Sequence, residues 1–169
     1  MLTTQQLQTL KTDIANDATL NAFPNTPDGA FEIAAAYSLP ASPDFWVWRT
    51  HIPQAEIVGT TTTDGTTWSW SAYIARSQGE RDGWREMFAD GGFINGALAN
   101  VRQGLADIFS GASNNAPQQR THLLTVARRK SNRVEKLYAV GTGSTGSPAT
   151  MVIEGTITYQ DVLNARNLP

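Results

Sequence analysis

Helix starts are written into this chain more plainly than any other feature. In Leu2-Thr3-Thr4-Gln5-Gln6-Leu7, Thr3 stands where it caps a helix while Gln6 reaches back, and Leu2 can staple onto Leu7. Leu7, Leu10 and Ile14 then recur on one helical face. Thr26-Pro27 repeats the signal, with a capping hydroxyl and a proline at the first helical position; Phe31, Ile33, Ala34 and Tyr37 follow before Pro40. Ser77-Gln-Gly-Glu80 is a second capping box and opens a helix carrying Trp84, Met87 and Phe88. Asn95 or Gly96 starts the next, with Leu98, Val101, Leu105 and Ile108 at helical spacing and Gly111 as its stop. Residues 118–140 are expected to form one long helix with Leu123, Ala127, Val134 and Leu137 inward, and Thr158 begins a short last one.

Two stretches break the helical pattern. Thr60 to Trp70 has an Asp64-Gly65 turn between threonine-rich arms, a hairpin signal, and Thr150 to Glu154 is expected as a short strand. The expected fold is therefore mainly α, a helical bundle with a β-hairpin inserted at about residues 60–74 and a short C-terminal strand/helix arm. The expected division is a helical body over 1–140 and a glycine-rich connector with its arm over 141–169.

Composition narrows the classes. A chain of 169 residues with 40% hydrophobic and 17% charged residues can bury a core and is not disordered in character. A formal charge of −2 supplies no global attraction to nucleic acid or to a membrane surface. No cysteine is present, which removes disulfides, thiolate metal sites and a cysteine nucleophile together. No apolar run approaches the ~18 residues that cross a bilayer, and the start lacks a signal-peptide pattern, so a soluble chain made in the cytoplasm is expected, with no membrane partner.

Chemical motifs are sparse. Gly141-Thr-Gly-Ser-Thr-Gly-Ser147 follows a helix and precedes a strand, the reverse of a phosphate-binding loop, and Gly146 is followed by Ser-Pro-Ala-Thr with no lysine. It is expected to be a connector. His51 and His122 are not at metal-ligand spacing, and Glu80, Asp82 and Glu86 sit where carboxylates answer a helix dipole or pair with arginines. The sequence thus predicts no catalytic centre, no metal and no cofactor.

Charge and aromatic patterning suggest contacts instead. On a continuous helix, Arg129, Arg133 and Lys136 line one stripe, flanked by Arg128 and Lys130. Such a stripe is a solvated face, a lining for DNA phosphates or a match for an acidic partner. Trp46 and Trp48, and again Trp68 and Trp70, are two apart, which on strands puts both rings of each pair on one face, for core packing or for an interface.

The stretches Leu39-Pro-Ala-Ser-Pro-Asp-Phe-Trp-Val-Trp-Arg49, Arg76-Ser-Gln-Gly-Glu-Arg-Asp-Gly-Trp-Arg85 and Arg120-Thr-His-Leu-Leu-Thr-Val-Ala-Arg-Arg-Lys130 resemble a family of small proteins of tailed bacteriophages. The resemblance covers nearly the whole chain, including Leu137 to Pro148 and Tyr159-Gln-Asp-Val-Leu163. By size and helical pattern the chain is similar to head–tail connector, or adaptor, proteins. That likeness implies a structural virion protein and not an enzyme: a ring homo-oligomer, typically twelvefold, at the head–tail neck. The implied partners are the portal protein, a stopper or tail completion protein, and packaged DNA through non-specific contact. It also implies a C-terminal segment gripping the portal, with Tyr159, Val162 and Leu163 as candidate contacts beside Trp46, Trp48, Trp68 and Trp70. Other virion parts (a capsid decoration, tail terminator or tail tube protein) and a small DNA-binding accessory protein are the competing expectations.

Overall fold

The computed structural model describes residues 1–169 and is mainly α. The first half of the chain forms α1 (Thr4–Asn16), α2 (Ala18–Asn21), α3 (Pro27–Ser38), β1 (Trp46–Trp48), β2 (Ile52–Pro53), α4 (Gln54–Gly59) and α5 (Trp70–Ile74). The second half forms α6 (Gln78–Met87), β3 (Phe93–Ile94), α7 (Ala99–Ile108), α8 (Ala116–Val126), β4 (Arg128–Lys130), α9 (Arg133–Tyr138) and α10 (Tyr159–Arg166). β1 pairs with β4, and β2 runs antiparallel to β3 with Ile52 opposite Ile94 and Pro53 opposite Phe93. The residues gather into two compact units, Met1–Val47 with Lys130–Pro169, and Trp48–Arg129.

The first unit is built on the helix starts read from the sequence. Thr3 and Gln6 form their capping box, Thr26 accepts from the Gly29 N–H, and Thr158 and Asp161 form a further box at the head of α10. Each cap satisfies N–H groups that have no partner within the helix, so the helix begins at a defined residue. Leu10, Ile14, Ile33, Tyr37, Val134 and Val162 are fully or almost fully buried where α1, α3, α9 and α10 meet.

This unit corrects the expected division at residue 140. The segment after the glycine stretch is not a projecting arm: α10 packs on α1 and α3, Val162 and Ala165 lie in the core, and Lys11 Nζ donates to the Leu168 carbonyl at 2.7 Å. The expected strand at Thr150–Glu154 reduces to a bridge between Val140 and Thr150. Gly141–Ser147 joins α9 to the residues before α10 and is held at Gly143. Gly143 has φ +66°, its carbonyl accepts from the Trp46 N–H at 2.7 Å, and a Cβ there would overlap the Phe45 ring.

The second unit is closed by rings. Trp68, Tyr73, Trp84, Phe88 and Phe109 form one buried group, with centroids of successive neighbours 4.8–6.3 Å apart. The hairpin signal yields a small hairpin, narrower than residues 60–74. Gly65 takes φ +74°, Thr62 and Thr66 close the turn, and Thr61 bridges Thr67. Beyond it Trp68 dives into the core and Ser69 caps α5. Two buried polar side chains hold this loop: Gln119 accepts from the Ser69 N–H and donates to the Thr67 carbonyl. His122 Nε2–H donates to the Ile57 carbonyl at 2.7 Å, leaving Nδ1 to accept from Thr66.

The long helix expected over 118–140 is three elements, α8, β4 and α9. α8 ends at Val126 with Ala127 as its C-cap, and Asn132 restarts the helix: its side chain accepts from the Glu135 N–H, and the Glu135 carboxylate accepts from the Asn132 N–H, a capping box. Glu135 also accepts from the Gly155 N–H and is itself buried.

Candidate functional site

The break between Val126 and Arg133 dismantles the basic stripe. Arg128, Arg129 and Lys130 lie on the extended β4, whereas Arg133 and Lys136 lie on α9, so the five do not share a helical face. Carboxylates answer Arg128, Lys130 and Arg133. Arg128 pairs with Asp64 at 3.5 Å, Lys130 with Asp44 at 2.6 Å, and Arg133 with Asp13 at 2.9 Å and Asp17 at 2.8 Å. Arg129 is half-buried. Lys136 donates to the carbonyls of Ser42 and Pro43 and sits 5.9 Å from the Phe45 ring centre.

The aromatic candidates also separate. Trp46 and Trp48 flank the buried Val47 and fall in different units; Trp48 packs on the ring core with the Arg102 guanidinium 4.4 Å over it. Trp68, expected beside Trp70 on a strand face, is instead a core residue at 8% exposure. Tyr159 stacks on Phe31 at 4.3 Å, Leu163 is half-buried against the first unit's core, and Val162 is wholly inside it. Burial therefore removes Trp68 and Val162 as surface contacts. Trp70 stays, 57% exposed.

Trp70 is the first residue of α5, and Ile74, one turn later, is 67% exposed. Residues four apart on a helix share a face, so the two form one apolar knob. The knob is held from below: the Trp70 ring meets Trp68 edge-on at 5.7 Å and Tyr73 at 5.9 Å. Nothing charged stands on that turn of helix, whose sequence is Trp-Ser-Ala-Tyr-Ile. Ile74 was not legible as a surface residue, because a hairpin arm was expected there. The signal that finds it is Ser69, an N-cap residue immediately before the tryptophan.

The first unit carries a concave counterpart, a groove of about 770 Å³ between α1, α2, α3 and α9. Its apolar surface comes from Leu20, Ala36, Leu39 and Leu137, with Leu39 at the lip and 62% exposed. Its polar edge is a closed network. Arg133 bridges Asp13 and Asp17 and lies 4.7 Å over the Tyr37 ring, while the Tyr37 hydroxyl donates to Asp13. Burial lowers the Arg133 pKa, but the hydrogen bonds to Asp13 and Asp17 outweigh it and hold the guanidinium above its usual range. The Leu20 N–H first, and Arg133 next, hold the Asp17 carboxyl below the usual carboxylate range. Burial, reinforced by the bond to Asp13, pushes the Tyr37 hydroxyl well up, so it stays protonated as a donor.

The carboxylates weighed from the sequence have structural tasks. Glu80 completes the Ser77 capping box, whose hydrogen bonds hold its pKa down, and Asp82 pairs with Arg85 at 3.1 Å. His51 rests against Phe93 at 4.1 Å. No three His, Asp or Glu side chains converge as a metal site. No helix is long and apolar enough to cross a membrane. Comparison of the chain with protein-family models, curated proteins and solved structures finds no match.

Proposed function

We propose that this chain is a structural protein of a tailed-phage particle, a subunit of the connector ring that joins the portal to the stopper or tail. Its role is assembly and not catalysis. The observation that carries the proposal is the knob of Trp70 and Ile74, two large apolar side chains presented together on one turn of α5. Tryptophan is concentrated at binding hot spots, and a ring already buttressed by Trp68 and Tyr73 loses little freedom when a partner covers it. The likeness of residues 39–49, 76–85 and 120–130 to small tailed-phage proteins supplies the particle, and the size and helical pattern, similar to head–tail connectors, supply the partners.

A DNA-lining role receives less support. Arg128, Lys130 and Arg133 each face a carboxylate, and a paired cation offers a phosphate little net attraction. The test is composition of the particle. Quantitative mass spectrometry of purified virions should recover the chain in copy number comparable to the portal. Absence from virions, or presence only in lysate, overturns the proposal.

A further inference from the structure

Knob and groove sit on different units of the same chain, so every copy presents one projection and one receptacle. We propose that the groove is filled by the α5 knob of a second copy, Trp70 and Ile74 entering between Leu20, Leu39 and Leu137. This inference rests on the assembling-subunit reading and names its contact.

Size and charge favour that occupant. A cavity of about 770 Å³ accepts an indole together with a neighbouring aliphatic side chain, and lies within the range that encloses a bulky ligand. The groove's ionisable side chains balance: Asp13 and Asp17 against Arg133 and Lys136. Arg133 already bridges both carboxylates, so no carboxylate is left to recruit a cation, and Lys136 donates to the carbonyls of Ser42 and Pro43. An uncharged apolar insert leaves the Arg133 network in place, and the knob is uncharged. The Lys136 ammonium, which already stands over an aromatic face at Phe45, is suited to a second ring.

The contact is heterologous, because the surface given differs from the surface received. Repetition of such a contact closes a ring or extends a filament, whereas a two-fold contact stops at a dimer. That difference makes the inference testable with two kinds of variant, one of the knob and one of the groove. Trp70→Ser with Ile74→Ser removes the knob, and Ala36→Arg fills the groove. Leu39→Glu, at an exposed position, is a second groove variant whose folding is not in question.

Sedimentation of the purified full chain over a concentration series should show wild-type species larger than a dimer. Each variant alone should associate roughly thirtyfold more weakly, the effect of removing a hot-spot residue. An equimolar mixture of knob and groove variants retains one intact pairing and should yield a one-to-one dimer and nothing larger. The inference is overturned by a wild type that stays monomeric throughout, by either variant assembling as wild type does, or by a mixture that forms no dimer. Groove variants that self-associate while knob variants do not would identify a knob-to-knob contact and also overturn it. Recovery from virions is read separately: a chain present in particles but failing these tests keeps its virion role and loses this contact.

Discussion

The two units solve the same problem with different chemistry. The first, made from two segments distant in the chain, is closed by aliphatic side chains and by polar ties of long sequence reach. Tyr138 donates to the Gln6 carbonyl, Arg166 to Phe23, and Asn132 to Gly155. The second is a continuous stretch, closed by stacked and edge-on rings around Trp68 and Trp84. Joining distant segments costs loop entropy that local contacts do not meet, and directional bonds fix which segment belongs where. A continuous stretch needs no such addressing, and large rings supply burial in few residues. The lesson extends to the surface: the directional network of the first unit frames a groove, and the ring pile of the second pushes one tryptophan outward.

The largest expected effect breaks the second unit alone. Trp84→Ala should lower stability by about 3–5 kcal/mol, as truncation of a buried ring does. Urea denaturation measures the loss, and NMR of the Phe31–Tyr159 pair tests whether the first unit is spared. Equal loosening of that pair would show that the two chemistries support one cooperative structure. Next in size is Gln119→Leu, which leaves the Ser69 N–H and Thr67 carbonyl without their partner and should cost about 1–3 kcal/mol, again by urea denaturation. A neutral result would mean that rings alone hold the second unit.

The first unit should answer to pH. Asp17 has a folded pKa below its ordinary value of 3.8, so its contribution is present above the unfolded pKa and is lost as pH falls through the lower folded value. Arg133→Met raises that folded pKa towards the unfolded one. Stability near neutral pH should drop, stability in strong acid should change little, and the fall between them should become shallower. An unchanged slope would detach Arg133 from the acid sensitivity. The smallest effect on folding belongs to the knob: Trp70→Ser should cost no more than about 1 kcal/mol, because the ring is mostly exposed and loses only edge contacts. A loss near that of Trp84→Ala would make Trp70 a core residue.

Four helix starts were legible because a cap is a local event: Thr3, Thr26, Ser77 and Thr158 act on residues three positions away, whereas α7 starts at Ala99 after Leu98, which makes no side-chain cap, and not at Asn95 or Gly96. The restart of a helix within the expected 118–140 span was legible in the same terms, since Asn132 and Glu135 spell a capping box. It was obscured because Leu123, Ala127, Val134 and Leu137 keep helical spacing across it. The paired fate of Trp68 and Trp70 was not legible. A spacing of two predicts a shared face only on a strand, and Ser69 turns the chain into a helix between them. Arg133 as a bridge from α9 to Asp13 and Asp17 depends on contacts over more than a hundred residues, which no local pattern encodes.

A cryo-EM reconstruction of the intact particle at side-chain resolution addresses the proposed role most directly. The expected map shows the chain as a ring between portal and tail, with Trp70 and Ile74 of each copy covered by a partner. A map in which the chain is absent from the neck, or in which Trp70 faces solvent in every copy, contradicts it.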